Sequence, residues 1–167
     1  MRIDTEELLR RYAVGEKNFV GIQLISDGTR EGMKGADLSK INLMGADLYY
    51  VWLIETNLSG SCLIGATLNH AVLIGAELNR ANLTNADLRQ GKLDCTNLVS
   101  ANLTGANLDN ASLRNANLLN ADLSHANLVG ANLTGAKNID IFRTDGILLW
   151  NTRLPDGSIE VGPRYSR

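Results

Sequence analysis

The chain has 167 residues, of which 44% are hydrophobic but only 5% aromatic, and a formal net charge of −2. That length fits one domain with a substantial aliphatic core. The charge argues against a nucleic-acid binder working through a broad basic surface and equally against a strongly acidic mimic of nucleic acid, and two cysteines, Cys62 and Cys95, are too few for a disulfide framework or a four-cysteine zinc site.

The first twenty residues, MRIDTEELLRRYAVGEKNFV, carry eight charges and no apolar run long enough for a signal peptide or a membrane span. A cytoplasmic protein is therefore expected. Within this stretch Asp4 and Glu7 have the spacing of a capping box, and Ile3, Leu8, Leu9 and Tyr12 form an apolar stripe. With Gly15 as a stop, the pattern predicts a short amphipathic helix over residues 4–14. Phe19 and Leu24 are five residues apart, and SDGTREG, residues 26–32, reads as a turn or bulged loop.

From Met33 to Leu133 every fifth residue is long and apolar, twenty of these twenty-one positions being Leu. Two residues before each sits a small residue, Ala in fourteen cases, as at Ala66, Ala86 and Ala106. Neither a helix nor a plain strand has a period of five. A spacing of two puts both side chains on one side of an extended segment, and the other three residues must turn the chain. Gly, Asn and Ser are frequent at those corners, as at Gly35, Gly45, Gly65, Gly105, Asn110, Asn115 and Gly130. If each corner turns the chain by a right angle, four pentapeptides close a coil of about twenty residues, and successive coils stack at about 4.8 Å. A Leu inside such a stack is covered above, below and across, a burial worth roughly 1.5–3 kcal/mol.

The phrase A(D/N)LXX, as in ADLSK, ANLTG and ADLRQ, resembles the pentapeptide-repeat family over residues 31–135. The resemblance implies an all-β fold, a right-handed quadrilateral β-helix with Leu and Ala filling a square interior. Departures at the small position, Glu31, Ile41, Val51, Thr56, Ser61, Gly91 and Thr96, lie mostly in the first half and predict less regular early coils. After Ala136 the pattern stops at Asn138. The tail then holds two apolar runs, with PDG predicting a type I turn between strand-like segments. ELLRRYAVGEKNF and LPDGSIEVG resemble the segments flanking the repeats in cyanobacterial members. The expected organisation is a capping helix and entry loop over residues 1–30, the repeat over 31–136 and a capping tail over 137–167.

Catalytic signals are sparse. His70 and His125 fall at corners 55 residues apart, nearly three coils, too far to share a metal, and read as solvated. Cys62 and Cys95 are more than one coil apart on different sides, which disfavours a disulfide. Asp47 and Asp87 recur on one side with Thr67 between them, and read as hydrogen-bonding groups toward neighbouring coils or water. No phosphate-binding glycine loop is present. No catalytic residue, cofactor, metal, nucleic acid or membrane is expected.

The outward positions are more informative. Twenty residues per coil places Trp52 beside Val72 and Ile54 beside Ile74 on one outer face, with Tyr49 and Tyr50 at the adjoining corner. One coil further on stand Lys92 and Asp94. Such an apolar patch is either a contact surface for another protein or the seat of a terminal segment. The expectation is a non-enzymatic, rigid interaction module, its partner and oligomeric state left open. The family resemblance implies a second possibility, a DNA-mimicking inhibitor of a type II topoisomerase. Against it, residues 31–135 hold nine acidic and six basic side chains, and no Phe stands among the central positions.

Overall fold

The computed structural model describes residues 1–25, 31–139 and 144–165. Its repeat region is a ladder of parallel bridges in which each residue preceding a Leu pairs with the residue twenty further on, from Asp37↔Asn57 to Asn117↔Lys137. Twenty residues hold four pentapeptides, so the coil has four sides and a square cross-section. The Leu side chains are buried throughout, and the small residues two before them are buried too, except Glu31 and the half-buried Ala36 and Ala121.

Every corner from residue 35 to residue 135 has a positive φ at the second residue after the long apolar one. Each is closed by an N–H of the next small residue donating to the Leu carbonyl, as Ala86 does to Leu83 at 3.0 Å. Glycine meets this conformation without penalty, but Lys40, Glu55, His70, Arg80, Gln90 and Cys95 adopt it as well. A non-glycine residue there costs roughly 1–2 kcal/mol. The period imposes the corner whether or not the residue suits it, because the next Leu must return to the interior.

Asp and Asn before Leu have a specific task. In thirteen repeats their Oδ1 accepts the N–H two residues on, from Ser39 N to Asp37 and Met44 N to Asn42 through to Thr134 N to Asn132. This local bond caps an outward donor at the start of each corner. Bonds between coils occur as well, as from Asn57 Nδ2 to Asp37 and from Asn97 Nδ2 to Glu77.

The early coils keep the same ladder and corners despite Ile41, Val51, Thr56 and Ser61 at the small position, all buried. Their irregularity is chemical. Thr56 donates its hydroxyl to the Met33 carbonyl at 2.9 Å, whereas the buried Ser61 Oγ has no partner. Ser61→Ala is expected to raise stability by about 1 kcal/mol, and Thr56→Ala to lower it by a similar amount, because only the second removes a made bond. Urea unfolding midpoints check the order; a lower midpoint for Ser61→Ala would show that its hydroxyl is satisfied.

At the N-terminal end, β1 (Arg2–Asp4) runs into α1 (Thr5–Ala13). Asp4 caps the helix by accepting Glu7 N–H, Leu8 is buried, and Gly15 closes the end through its N–H to Tyr12 O. β1 pairs in parallel with β2 (Gln23–Ile25), and Tyr12 Oη donates to Ser39 O at 2.6 Å. Asn18↔Asn42 and Gln23↔Asp47 carry the ladder upstream of residue 31 at a spacing of 24. The predicted loop at 26–32 lies for the most part, at 26–30, outside the described residues.

Beyond Asn138 the ladder resumes at a spacing of 21, through Asn127↔Leu148 and Asn132↔Arg153, with Ile147, Leu149 and Thr152 buried. β3 (Leu148–Leu149) pairs antiparallel with β6 (Arg164–Tyr165), and β4 (Thr152–Arg153) with β5 (Ile159–Glu160). The PDG turn joins β4 to β5, closed by Gly157 N–H to Leu154 O at 2.9 Å. Among the described residues no helix is long and apolar enough to cross a membrane.

Candidate functional site

Trp52, Val72 and Lys92 are consecutive rungs of one side of the coil. Trp52 and Val72 replace the Asp or Asn found on most other rungs, which interrupts a polar surface with two large apolar groups. At the adjoining corner Tyr49 and Tyr50 meet edge to face with centroids 4.3 Å apart, and Tyr50 stacks on His70 at 4.5 Å and 3°. Tyr50, Trp52, His70, Val72, Gln90 and Lys92 line a shallow cavity of about 230 Å³. Partial desolvation, with Tyr50 adjoining, raises the Tyr49 phenol above its ordinary pKa.

The six residues expected to form the patch do share this region, but not equally. Tyr49 and Tyr50 are about half exposed, Ile74 is 36% exposed, and Trp52 and Ile54 are half-buried. Val72 does not offer a contact surface: it is only 5% exposed, enclosed between the larger Trp52 and Lys92 side chains on the rungs either side. His70, Gln90 and Lys92 belong to the site and were not singled out as site residues from sequence. The twenty-residue column 50, 70, 90 beside 52, 72, 92 is the signal that would have found them.

The apolar surface ends in charge. Lys92 is exposed, while Asp94 turns to the following coil, accepting Ser112 Oγ at 2.6 Å and Arg114 N at 3.2 Å. Among the described residues α1 bonds through Tyr12 to Ser39, the entry segment bonds to Met44 and Asp47, and the tail pairs along Asn127 and Asn132.

The histidines stand at corners as expected, His125 exposed and His70 half-buried. His70 is stacked as described, and the His125 ring lies directly over Gly146, where a side chain would collide with it. Cys62 and Cys95 are free thiols on different sides. Asp47 and Asp87 share a ladder with Thr67 between them. Asp87 is held below the usual carboxylate range, chiefly by hydrogen bonding from the Arg89 guanidinium, whose pKa rises in turn. Among the described residues no group of three or more His, Cys, Asp or Glu is placed to hold a metal ion.

The model of the pentapeptide repeats, in eight copies, matches residues 33–60, 53–90 and 96–135. The five unmatched residues 91–95, where Gly91 replaces Ala, keep the structural period. Among solved structures the chain is similar to a pentapeptide repeat protein from the thylakoid lumen of Arabidopsis thaliana. The two are 28% identical with a TM-score of 0.61, over 64% of this chain and 74% of that one. It is also similar to Rfr23 from the cyanobacterium Cyanothece 51142, at 28% identity and a TM-score of 0.53 over 80% of this chain and 96% of that one. A trypsin-treated form of QnrB1, a plasmid-mediated fluoroquinolone resistance protein, shares the fold at 21% identity and a TM-score of 0.53, over 78% of this chain and 71% of that one. No curated protein matches. Since the family's repeat model covers more than half of the chain and its period is the one that closes the coil, this protein belongs to the pentapeptide-repeat family, whose members form right-handed quadrilateral β-helices.

Proposed function

We propose that this protein is a non-enzymatic interaction module. Its rigid rod presents the face of Trp52, Ile54 and Ile74, with Tyr49 and Tyr50 at the corner, to another protein. The observation that carries this reading is the replacement of polar rungs by Trp52 and Val72 on successive coils of one side, with Tyr49, Tyr50 and Ile74 exposed beside them. Contiguous apolar surface of this kind marks contact sites. The family's general character as structural or interaction modules supports it, and α1 with β1 at one end and the paired strands of the tail at the other serve as caps over the exposed edges of the stack. Mimicry of a polyanion has weaker support, because the repeat carries only a small excess of acidic groups and Asp87 is neutralised by Arg89 at 2.7 Å.

Capture of binding proteins from a native extract tests the reading, comparing the parent with the double variant Ile54→Asp, Ile74→Asp. The variant is expected to keep its stability within about 0.5 kcal/mol, as surface changes do, and to lose the protein that the parent captures. A folded variant that retains every captured protein would sink the proposal. A collapse of its melting temperature would instead assign the patch to a covering segment.

A further inference from the structure

The rod's corners have a rule, and the apolar face breaks it. Wherever Asp or Asn precedes Leu, its Oδ1 takes the outward N–H two residues on, as in Asn82 with Thr84 and Asn102 with Thr104. Trp52, Val72 and Lys92 have no such oxygen. Among the described residues the N–H groups at the equivalent positions of Ile54, Ile74 and Asp94 have no protein acceptor. Ile64, Asn69 and Asn79 lack one too, but each stands singly on a different side. On the face of Trp52 the three are consecutive, one per coil, at a repeat of about 4.8 Å. This column of donors stands two residues on from Trp52, Val72 and Lys92, rungs that line the cavity, and Lys92 is the one lining residue with a permanent charge. Lys92 has no ion pair among the described residues, Asp94 is engaged by the next coil, and the Glu55 stem lies over Gly75 at the far corner. Apolar floor, unused backbone donors and an unpaired cation together match a carboxylate carried next to an apolar group.

Resting on the contact-face reading, we propose that this groove binds an acidic peptide segment of the partner protein. An aliphatic or aromatic side chain packs over Trp52 and Ile74. A neighbouring Asp or Glu accepts from the Ile74 N–H and pairs with Lys92. The partner thereby supplies the acceptor that Asp or Asn supplies on most other rungs. Peptide strands bound along a surface commonly gain affinity from main-chain bonds and specificity from side-chain seats, and the donor column offers the first beside the second.

Selection of a random peptide library on the full chain tests this, with Val72→Asn and Lys92→Glu as separate arms. Val72→Asn installs the internal acceptor at a rung where Asn is the commonest occupant, so the fold tolerates it while the Ile74 N–H becomes occupied. The parent is expected to enrich peptides with Asp or Glu within three residues of an aliphatic or aromatic residue, and both variants to lose them. One such peptide, titrated against Trp52 emission in a Trp150→Phe background, is expected to bind Val72→Asn at least tenfold more weakly. Lys92→Gln is expected to weaken it about two- to fivefold at low salt, the range of an exposed ion pair. No enrichment, or acidic peptides bound equally by Val72→Asn, overturns the inference. Enrichment of apolar peptides without acids also overturns it while leaving the contact-face reading intact, whereas that reading itself fails only through the capture experiment with the Ile54 and Ile74 double variant.

Discussion

Leu83→Arg is expected to abolish folding, while Thr84→Arg, one residue away, leaves the melting temperature within a few degrees of the parent. Leu83 is completely buried at the middle of the stack. Its replacement forfeits roughly 1.5–3 kcal/mol of burial and places a guanidinium with no partner in an aliphatic interior, at a further cost of several kcal/mol. The sum is comparable with the whole stability of an ordinary domain, about 5–15 kcal/mol. A solenoid is also vulnerable at its centre, since each coil is stabilised only by its neighbours and a failed coil separates two short stacks. Thr84 faces outward and loses only its hydroxyl bond to Asn82 Oδ1, worth about 1 kcal/mol. Far-ultraviolet circular dichroism and thermal melts distinguish the two. Equal melting of both variants would mean that the inward and outward assignment is wrong.

Gly130→Val is expected to cost about 2–4 kcal/mol through two separable causes. Gly130 has φ +66°, where a β-branched residue is strained by roughly 1–3 kcal/mol. A Cβ there would also collide with the Asn110 side chain, which leans from the corner one coil earlier into the space above the glycine. Adding Asn110→Gly relieves the collision and not the strain, so the double variant should recover only part of the loss. Gly130→Asn should show the complementary behaviour, because Asn occupies the same corner conformation at Asn110, Asn115 and Asn120, with φ between 56° and 58°. Denaturant midpoints of the three variants give the partition; full recovery in the double variant would show that the left-handed conformation contributes nothing.

Much of the polar surface follows from the same local logic, though the sequence reading assigned it differently. Asp and Asn before Leu were expected to bond to neighbouring coils or to water. Some do, as Asn127 Nδ2 does to Asn107, but the recurrent bond is to the same repeat's own corner. The spacing i, i+2 was present in every ANLTG. What hid it was the absence, in sequence, of any sign that the N–H two residues on points outward and lacks a backbone acceptor. That depends on the corner's left-handed residue, which is Gly in some repeats and Lys, Glu or Gln in others, so residue identity does not announce it.

The period of five, with its Leu and Ala two apart, by itself determined the coil, the inward set and the column in which each outward residue stands. Burial repeated every fifth residue over a hundred residues admits one register, and a slip would carry every Leu to the surface. Only the tertiary structure decided how neighbours within a column share space. Val72 stands in the predicted column yet is covered, because Trp52 and Lys92 are large enough to close over it. His70 is half-buried because Tyr50 lies one coil away with its ring parallel. The ladder spacings of 24 and 21 at the two ends were likewise invisible, since there the insertions break the period and pairing follows whichever apolar residues, Phe19 and Leu24 at one end and Ile147 and Leu149 at the other, can complete the aliphatic interior. Backbone register is a property of the repeating pattern, but the lean of a flexible side chain is set by the size and chemistry of a residue twenty positions away.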